Sequence, residues 1–237
     1  MLGAVATINE SASETGAGTD GWLAERTAVL DGALAMYRDG LVVASSGNVS
    51  MRCGAGEMLA ITTAGKDYAH LDIDQVVVVD FEGEPIVGDA IPSTEMLMHT
   101  AIYRARPDVG AVMHTHSVYA SALAVAGIAL PPLIDEMVVY LGDSVQVGEY
   151  AFPSTEELGE RAVEALGERN AVLIRNHGMV GVGKTVIGAL SVCQLTERLA
   201  HIYTVARALG EANPLPPDAV ATELELFRMR RQAEGMS

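Results

Sequence analysis

Residues 92–117 read PSTEMLMHTAIYRARPDVGAVMHTHS, and this stretch carries both a helix and a strand. Apolar residues in its first half recur at helical spacing, with Ser93 or Thr94 placed to cap the helix and Glu95 in the first turn. The segment VGAVMHTHS that follows has the composition of a buried strand. The stretch therefore predicts a capped helix leading into a strand, with polar side chains where the helix starts and the strand ends.

Two histidines lie two positions apart in this strand. Because side chains alternate across a strand, His114 and His116 are expected to point to one face and Thr115 to the other. Paired imidazoles are poor core material, since each brings a polar nitrogen, but neutral imidazole is a good zinc ligand. The alternative is a surface pair, or a hydrogen-bonded strand face without metal.

Further candidate ligands lie elsewhere in the chain. His177 follows the strand AVLIR and precedes a glycine, which lets the backbone bend and the ring turn inward. A zinc site needs three or four ligands, and Glu95 could be the fourth. The alternative for Glu95 is a first-turn glutamate stabilised by the helix dipole. We interpret His99 as a buried, hydrogen-bonded residue, and His70 and His201 as structural.

Composition limits the classes of protein to which the chain can belong. The 237 residues suit one sizeable domain, and 31 acidic against 15 basic side chains give a net charge of −16. Such a field disfavours nucleic acid and anionic membranes as partners, although a small anionic substrate needs only a local pocket of donors. The sequence contains no signal-peptide pattern and no apolar run of membrane-spanning length, so we expect a cytoplasmic protein.

The order of elements indicates the fold class. Helical spacing over residues 22–40 precedes a strand–turn–strand, LVVASSGNVSMR, and the strands MLAITTAG and QVVVVDFEGEPI. After the opening stretch come a helix at 117–127, another near 155–167, the strand AVLIR and a long helix over 185–209. Mixed strands and helices in irregular order predict an α/β or α+β layered domain. Residues 1–20 are predicted to be a flexible tail, and 211–237 a tail that breaks at prolines and then regains helical spacing.

Residues 178–185, GMVGVGKT, also match the nucleotide phosphate-loop pattern, and VVVVD at 76–80 resembles the magnesium-binding strand of such proteins. Two features argue against a nucleotide hydrolase. Only a short, mostly helical segment follows Thr185, and the VVVVD strand precedes the loop, which would require a permuted topology. We interpret 178–183 as a glycine-rich strand and Thr185 as the cap of the last long helix.

Taken in order, SSGNVSMR, TTAGKDY, the opening stretch and NHGMVGVGKT resemble the class II aldolase/adducin family, and within it the bacterial ketose-1-phosphate aldolases. The resemblance covers about residues 22–210. It implies a single three-layer α/β/α domain over 21–210 with a mixed, mostly antiparallel central sheet. It also implies a homotetramer with active sites between subunits.

The resemblance carries site residues over by position. It implies a divalent metal, usually Zn²⁺ with Mn²⁺ or Co²⁺ as alternatives, held by His114, His116 and His177. Glu95 matches the catalytic glutamate, which also ligates the metal when no substrate is bound. The phosphate pocket of the family falls on Gly47, Asn48, Gly65, Ser93 and Thr94. Backbone amides near glycines, two hydroxyls and a helix N-terminus make an anion site with little formal positive charge.

The implied reaction is reversible cleavage of a ketose 1-phosphate, L-fuculose 1-phosphate or a 5-deoxypentulose 1-phosphate, to dihydroxyacetone phosphate and a small aldehyde. Related epimerases carry aspartate at the position of Glu95, so glutamate favours cleavage over epimerisation. A methylthioribulose-phosphate dehydratase is a further alternative, because that branch shares the histidines but uses a glutamate elsewhere, and Glu136 could be that residue. A non-catalytic, adducin-like scaffold would need no metal ligands. The chain departs from the family pattern at Ala64, and the general acid is open between Tyr140, Asp135 and a tail residue near Arg230.

Overall fold

A computed structural model describes residues 21–236 of the chain, so the predicted tail over 1–20 lies outside the described residues. One eight-stranded sheet forms the centre of the fold, in the order β4-β3-β2-β1-β5-β8-β7-β6. All neighbouring strands are antiparallel except β6 and β7, which are parallel. The strands are β1 (Asn48–Arg52), β2 (Met58–Thr62), β3 (Val76–Asp80), β4 (Pro85–Val87), β5 (Ala111–Thr115), β6 (Gln146–Gly148), β7 (Ala171–Ile174) and β8 (Gly178–Gly183).

Helices cover both faces of this sheet. They are α1 (Leu23–Arg38), α2 (Met96–Ala105), α3 (Val118–Ala126), α4 (Asp135–Leu141), α5 (Glu156–Leu166), α6 (Val186–Leu209) and α7 (Pro217–Ala233). Alternate residues of β5 belong to two hydrophobic cores. Met113 belongs to the core that includes residues of α1, α3, α4 and α6, whereas its neighbour Val112 belongs to the core that includes residues of α2 and α5. The predicted three-layer α/β/α arrangement with a mixed, mostly antiparallel sheet is confirmed.

Local chemistry explains several element boundaries. Helix α2 begins at Met96 with Glu95 as its N-cap residue, so the expected cap at Ser93 or Thr94 is wrong. Ser93 Oγ instead accepts from the Glu95 amide, one step before the helix. Thr185 caps α6 by accepting from the Gly188 amide, as predicted. The expected strand over residues 41–46 is wrong: this segment is a turn in which Ala44 has a positive φ of 56°. Helix α4 was not predicted, because its seven residues show little periodicity.

The glycine-rich segment 178–183 is a buried strand, not a phosphate loop. Strand β8 pairs with β5 on one side and β7 on the other, so its amides belong to the sheet and cannot cradle an anion. A Cβ added at Gly183 would lie 2.6 Å from the Ala189 amide nitrogen, which shows that glycine here permits close packing of α6. Lys184 donates to the carbonyl of Gly235. The nucleotide-hydrolase alternative is therefore excluded by the backbone.

The C-terminal segment is anchored to the domain by a buried ion cluster. Arg106 and Arg231 both bind the Asp108 carboxylate, at 2.8 and 2.9 Å, and Arg231 also donates to the carbonyl of Met236. Helix α7 packs against α4, and its Phe227 is buried. Among the described helices, none has the length and apolar character that crossing a bilayer would require.

Candidate active site

Three histidines converge where β5 ends and β8 begins. His114 lies in β5, His116 follows one residue after that strand, and His177 lies in the tight turn between β7 and β8. This turn is closed by a hydrogen bond from the His177 amide to the Ile174 carbonyl, and Asn176 takes a positive φ of 56° within it. The predicted juxtaposition of the three rings is therefore present in the structure.

The rings meet edge to face with their donor atoms gathered together. Ring centroids lie 4.7–5.0 Å apart, and one ligand nitrogen from each ring lies within 4.8 Å of the others. The Nε2 atoms of His114 and His116 are 2.9 Å apart. His114 is fully buried, whereas His116 and His177 are partly exposed, so the cluster opens to solvent on one side.

Glu95, the residue preceding α2, completes this cluster. Its Oε1 lies 3.0 Å from Nε2 of His177 and its Oε2 3.3 Å from Nε2 of His114. The side chain is about 10% exposed, so the carboxylate faces the histidines and not bulk water. The predicted fourth member of the site is thus next to the other three.

A backbone hydrogen bond determines which nitrogen of His114 faces the cluster. Nδ1 lies 2.9 Å from the Met179 carbonyl, which can only accept, so Nδ1 carries the proton. In neutral His114 the lone pair is then on Nε2, directed at Glu95 Oε2. Two acceptors 3.3 Å apart need a proton or a cation between them.

The donor set fits a divalent cation such as Zn²⁺. Three imidazoles and one carboxylate are standard ligands for this metal, and a ring Nδ1–H bound to a backbone carbonyl is the support that metal-bound histidines usually have. Donors about 2.0–2.1 Å from a tetrahedral ion lie roughly 3.3 Å from one another. Three of the observed donor separations, at 2.9, 3.0 and 3.3 Å, are close to that value.

Burial and charge set the protonation states of the cluster. Burial lowers the pKa of His114 to about 3, and the neighbouring histidines add to this effect, so the ring is neutral and its lone pair is available. Burial likewise lowers the pKa of His116. For Glu95, burial alone would raise the pKa, but His114, His177 and Asn48 outweigh it and hold that pKa well below its usual range. The site therefore holds an anionic carboxylate beside a neutral His114.

Asn48, predicted as a phosphate ligand, has its side-chain amide turned toward Glu95. Its Nδ2 donates to Glu95 Oε2 at 2.9 Å, and its Oδ1 lies 2.5 Å from Nε2 of His99. His99 is fully buried and hydrogen-bonded, which confirms the interpretation of this residue. The contact between Asn48 and Glu95 was not predicted, because these residues are 47 positions apart in the sequence.

The remaining predicted phosphate residues lie in neighbouring segments. Ser93 is buried and accepts from the Glu95 amide, whereas Thr94 is exposed. Gly65 is exposed with a φ of 68°, and a Cβ there would meet no atom within 4 Å. The chain around Gly65 is held beside this helix start, because the Ala64 amide donates to the Ile91 carbonyl.

Gly47 completes this group from the turn before β1. It has a φ of 77°, and a Cβ would lie 2.6 Å from the His114 carbonyl oxygen, so no other residue fits. Sequence reasoning missed Tyr68, which donates to the Gly47 carbonyl at 2.7 Å and so ties the two glycine turns together. Its position in TTAGKDY gave no signal of this contact.

Two of the candidates for a general acid, Tyr140 and the tail near Arg230, lie away from Glu95 within one chain. Tyr140 shares a cavity of about 390 Å³ with Lys184, and the Arg230 guanidinium lies 4.1 Å from the Tyr140 ring centre. This cavity is beyond the far end of β8, roughly 20 Å from His177 at about 3.3 Å per strand residue. Asp135 lies against Glu223 of α7.

Three further polar residues have partners outside the cluster. Glu136, which kept a dehydratase in view, pairs with Arg198 of α6 at 3.3 Å. His201 stacks on Tyr119 with ring centres 3.9 Å apart. His70 is largely exposed in a short 3₁₀ turn. None of these three residues contacts the three-histidine cluster.

Comparison with known proteins agrees with the family resemblance seen in the sequence. The family model for the class II aldolase and adducin N-terminal domain matches residues 27–204. The 5-methylthioribulose-1-phosphate/5-deoxyribulose-1-phosphate aldolase of Rhodospirillum rubrum is 35% identical over 206 residues, covering 87% of this chain and 92% of that protein. A solved L-fuculose 1-phosphate aldolase superposes with a TM-score of 0.82 at 30% identity, covering 86% of this chain and 96% of that one. The L-ribulose-5-phosphate 4-epimerase UlaF of Salmonella paratyphi B is 30% identical over 203 residues, covering 79% and 87%.

Proposed function

The chain belongs to the class II aldolase and adducin family, and it is an enzyme of the metal-dependent lyase type. On that premise we propose that it catalyses the reversible cleavage of a ketose 1-phosphate to dihydroxyacetone phosphate and a small aldehyde. The candidate substrates are a 5-deoxypentulose 1-phosphate and L-fuculose 1-phosphate, in keeping with the names of two similar proteins. Residues 21–210 are taken as the catalytic domain and 211–237 as an appended helical segment.

One observation carries this proposal: the Glu95 carboxylate faces ring nitrogens of a three-histidine cluster at 3.0 and 3.3 Å. His114, His116 and His177 would hold a divalent cation, Zn²⁺ foremost. When bound, such an ion supplies Lewis-acid stabilisation of the negative charge that develops on substrate oxygens during aldol cleavage. An adducin-like scaffold would have no use for these four groups in one place.

Glu95 is the group that moves the proton in this proposal. It is ionised, so it is able to accept a proton, and it is adjacent to the cation site. In the synthetic direction it takes a proton from the dihydroxyacetone phosphate carbon, and in cleavage it returns that proton. With no substrate present, the same carboxylate would serve as a further ligand of the cation.

The phosphate group would be held beside this base. Ser93 and Thr94 precede Glu95 directly, and the amides around Gly47 and Gly65 come from turns tied to the same helix start. Because the residues for phosphate and proton transfer are neighbours in the chain, the distance from the handle to the reacting carbon is fixed by the backbone. The first turn of α2 adds amide groups that favour an anion.

A partner subunit is the proposed source of the general acid. Within one chain Tyr140 and Arg230 lie at the far end of β8, so neither reaches Glu95 of the same chain. In a homotetramer with sites between subunits, as the resemblance implies, the general acid of one subunit could lie next to Glu95 of another. The expected outcome of sedimentation analysis is a mass four times that of the chain.

The test of the proposal is a substrate panel with two metal conditions. Purified protein is given 5-deoxyribulose 1-phosphate, L-fuculose 1-phosphate and L-ribulose 5-phosphate, and dihydroxyacetone phosphate is followed by NADH-coupled reduction. We expect cleavage of one of the two ketose 1-phosphates, loss of activity after chelation and recovery on adding Zn²⁺, Mn²⁺ or Co²⁺. In Glu95→Gln, kcat should fall by about 10²–10⁴-fold while bound metal remains.

Epimerisation is the alternative with support among the relatives, since an L-ribulose-5-phosphate 4-epimerase is among them. Glu95 in place of the aspartate of that branch argues for cleavage. Conversion of L-ribulose 5-phosphate to its epimer, with no dihydroxyacetone phosphate from either ketose 1-phosphate, would overturn the aldolase proposal. Activity that persists in full after chelation would overturn the role given to the histidines.

A further inference from the structure

A line of hydrogen bonds continues from Glu95 into the core. Beyond the contacts of Asn48 with Glu95 and His99, the His99 Nδ1 lies 2.6 Å from Ser50 Oγ. Ser50 Oγ in turn lies 2.8 Å from the Tyr103 hydroxyl. We call the residues Asn48, His99, Ser50 and Tyr103 the relay.

The relay is built by matching two periodicities. Glu95, His99 and Tyr103 are spaced by four, so they lie along one side of α2. Asn48 and Ser50 are spaced by two, so they lie on one face of β1. Every member of the relay is 3% exposed or less, so bulk water cannot take the place of any of these bonds.

The direction of every hydrogen bond in the relay follows from the Glu95 charge. An ionised carboxylate only accepts, so the Asn48 side that faces it is Nδ2, and Oδ1 faces His99. Oδ1 can only accept, so Nε2 of His99 carries the proton and Nδ1 is the acceptor. Ser50 must then donate to Nδ1.

The far end of the relay follows in the same way. Since the Ser50 proton is committed to His99, Ser50 Oγ accepts from the Tyr103 hydroxyl. A neutral His99 is consistent with its burial, which lowers its pKa to about 4. All the donors therefore point toward Glu95, and reversing any one bond would place two acceptors or two donors against each other.

We propose that Ser50 and His99 are positioning residues for the proposed reaction, acting through Asn48 to hold the Glu95 carboxylate toward the histidine cluster. The inference rests on the proposed function. Without the relay, the Asn48 amide can rotate by half a turn and set Oδ1 against the carboxylate. Glu95 would then lose the Asn48 amide donor and its fixed direction, while the three histidines, Ser93 and Thr94 would remain in place.

The principal test is Ser50→Ala, which removes one hydroxyl and little volume. Loss of an outer hydrogen bond that orients a site residue costs on the order of 10–100-fold in activity. We expect kcat for the cleaved ketose 1-phosphate to fall by about tenfold. Its KM and the bound metal per chain should match the wild-type protein, because the three histidines, Ser93 and Thr94 are not altered.

A pair of substitutions at His99 separates orientation from packing. The glutamine amide in His99→Gln carries a donor and an acceptor at a separation similar to that of the two ring nitrogens, so it can bind Asn48 and Ser50. His99→Leu fills the space and offers neither. We expect His99→Gln to retain several times more kcat than His99→Leu when both are assayed below their melting temperatures.

The matched control is Thr196→Val, which removes a buried hydroxyl that donates to the Val192 carbonyl within α6, away from the relay. Its kcat should equal that of the wild-type protein. The double variant Ser50→Ala with Glu95→Gln should be no slower than Glu95→Gln alone, because the relay acts only through the Glu95 carboxylate.

The outcomes distinguish the inference from the proposed function. If wild-type protein cleaves the ketose phosphate and Glu95→Gln is impaired, yet Ser50→Ala and His99→Leu keep full kcat, the relay is structural and the inference is wrong. Equal losses of kcat in Ser50→Ala and Thr196→Val would also overturn it. Absence of metal-dependent cleavage in the wild-type protein would instead overturn the proposed function.

Discussion

Replacing Gly178 with alanine should disorganise the histidine cluster without removing any ligand. A Cβ on Gly178 would lie 2.3 Å from the Thr115 carbonyl oxygen, 2.9 Å from Cδ2 of His116 and 3.2 Å from Cε1 of His114. Carbon atoms pack best roughly 3.5 Å or more from their neighbours. To accommodate the methyl group, β5 and β8 must therefore separate by about 1 Å at the metal-facing end.

The size of the effect follows from this displacement. A shift of about 1 Å in a catalytic group costs on the order of 100-fold in rate. Because His114 and His116 flank the added methyl group, the ligand set itself is spread, and metal affinity should fall with the rate. We expect kcat/KM about 100-fold below wild type and less than one metal ion per chain after dialysis.

The assay combines metal analysis by atomic emission with steady-state cleavage of the ketose 1-phosphate. Gly188→Ala is the matched control, since a Cβ there has its nearest neighbour at 3.5 Å, the Thr185 hydroxyl. This control should keep full activity and metal, and alanine in a helix should raise the free energy of unfolding by up to about 1 kcal/mol. Full metal content and wild-type kcat/KM in Gly178→Ala would refute the argument from close approach.

Three further predictions concern other parts of the chain. His177→Ala should abolish stoichiometric metal binding at neutral pH, measured after dialysis, whereas metal retention at one ion per chain would remove His177 from the ligand set. Asp108→Asn should lower the free energy of unfolding by about 3 kcal/mol, because it leaves Arg106 and Arg231 without their buried partner. The two arginines outweigh burial and lower the pKa of Asp108, so this stabilisation is full above the unfolded pKa of about 4 and is lost as the pH falls further. The difference between Asp108→Asn and wild type should therefore shrink from pH 7 to pH 3 in denaturant titrations. Lys184→Ala should leave kcat unchanged, and the wild-type protein should show no calorimetric heat with ATP or GTP.

The parts of the site that sequence predicted are those with local signals. The helix start at Ser93–Glu95, the H-x-H at the end of β5 and the bend at His177 each depend on a few adjacent residues. The convergence of the three histidines required that β5 and β8 be neighbours in the sheet, and the family resemblance implied the shared metal site but not this strand pairing. The interpretation of Gly178–Gly183 as a strand was likewise confirmed, because its lack of polar side chains suits a buried position.

Other features depend on contacts between distant segments. Val42 and Leu41 are buried and resemble strand residues in sequence, yet the turn at Ala44 keeps this segment out of the sheet. Helix α4 is stabilised by packing on α6 and α7 and has too few residues to be stable alone. The general acid is a harder case, since Tyr140 and Arg230 both lie at the far end of β8 from Glu95.

The relay was partly predictable, because the sequence shows the spacing of its polar residues within each segment but not the contact between the two segments. Three polar residues at spacings of four, Glu95, His99 and Tyr103, lie on a helix whose other buried positions are mainly apolar, and such a line needs polar partners. Asn48 and Ser50 show the complementary spacing of two on a buried strand. Neither pattern says that the two surfaces face each other, since the paired residues are 47 to 53 positions apart. A row of buried polar residues along one side of a helix therefore predicts that a strand with polar residues at alternate positions packs against it. In this protein that strand is β1.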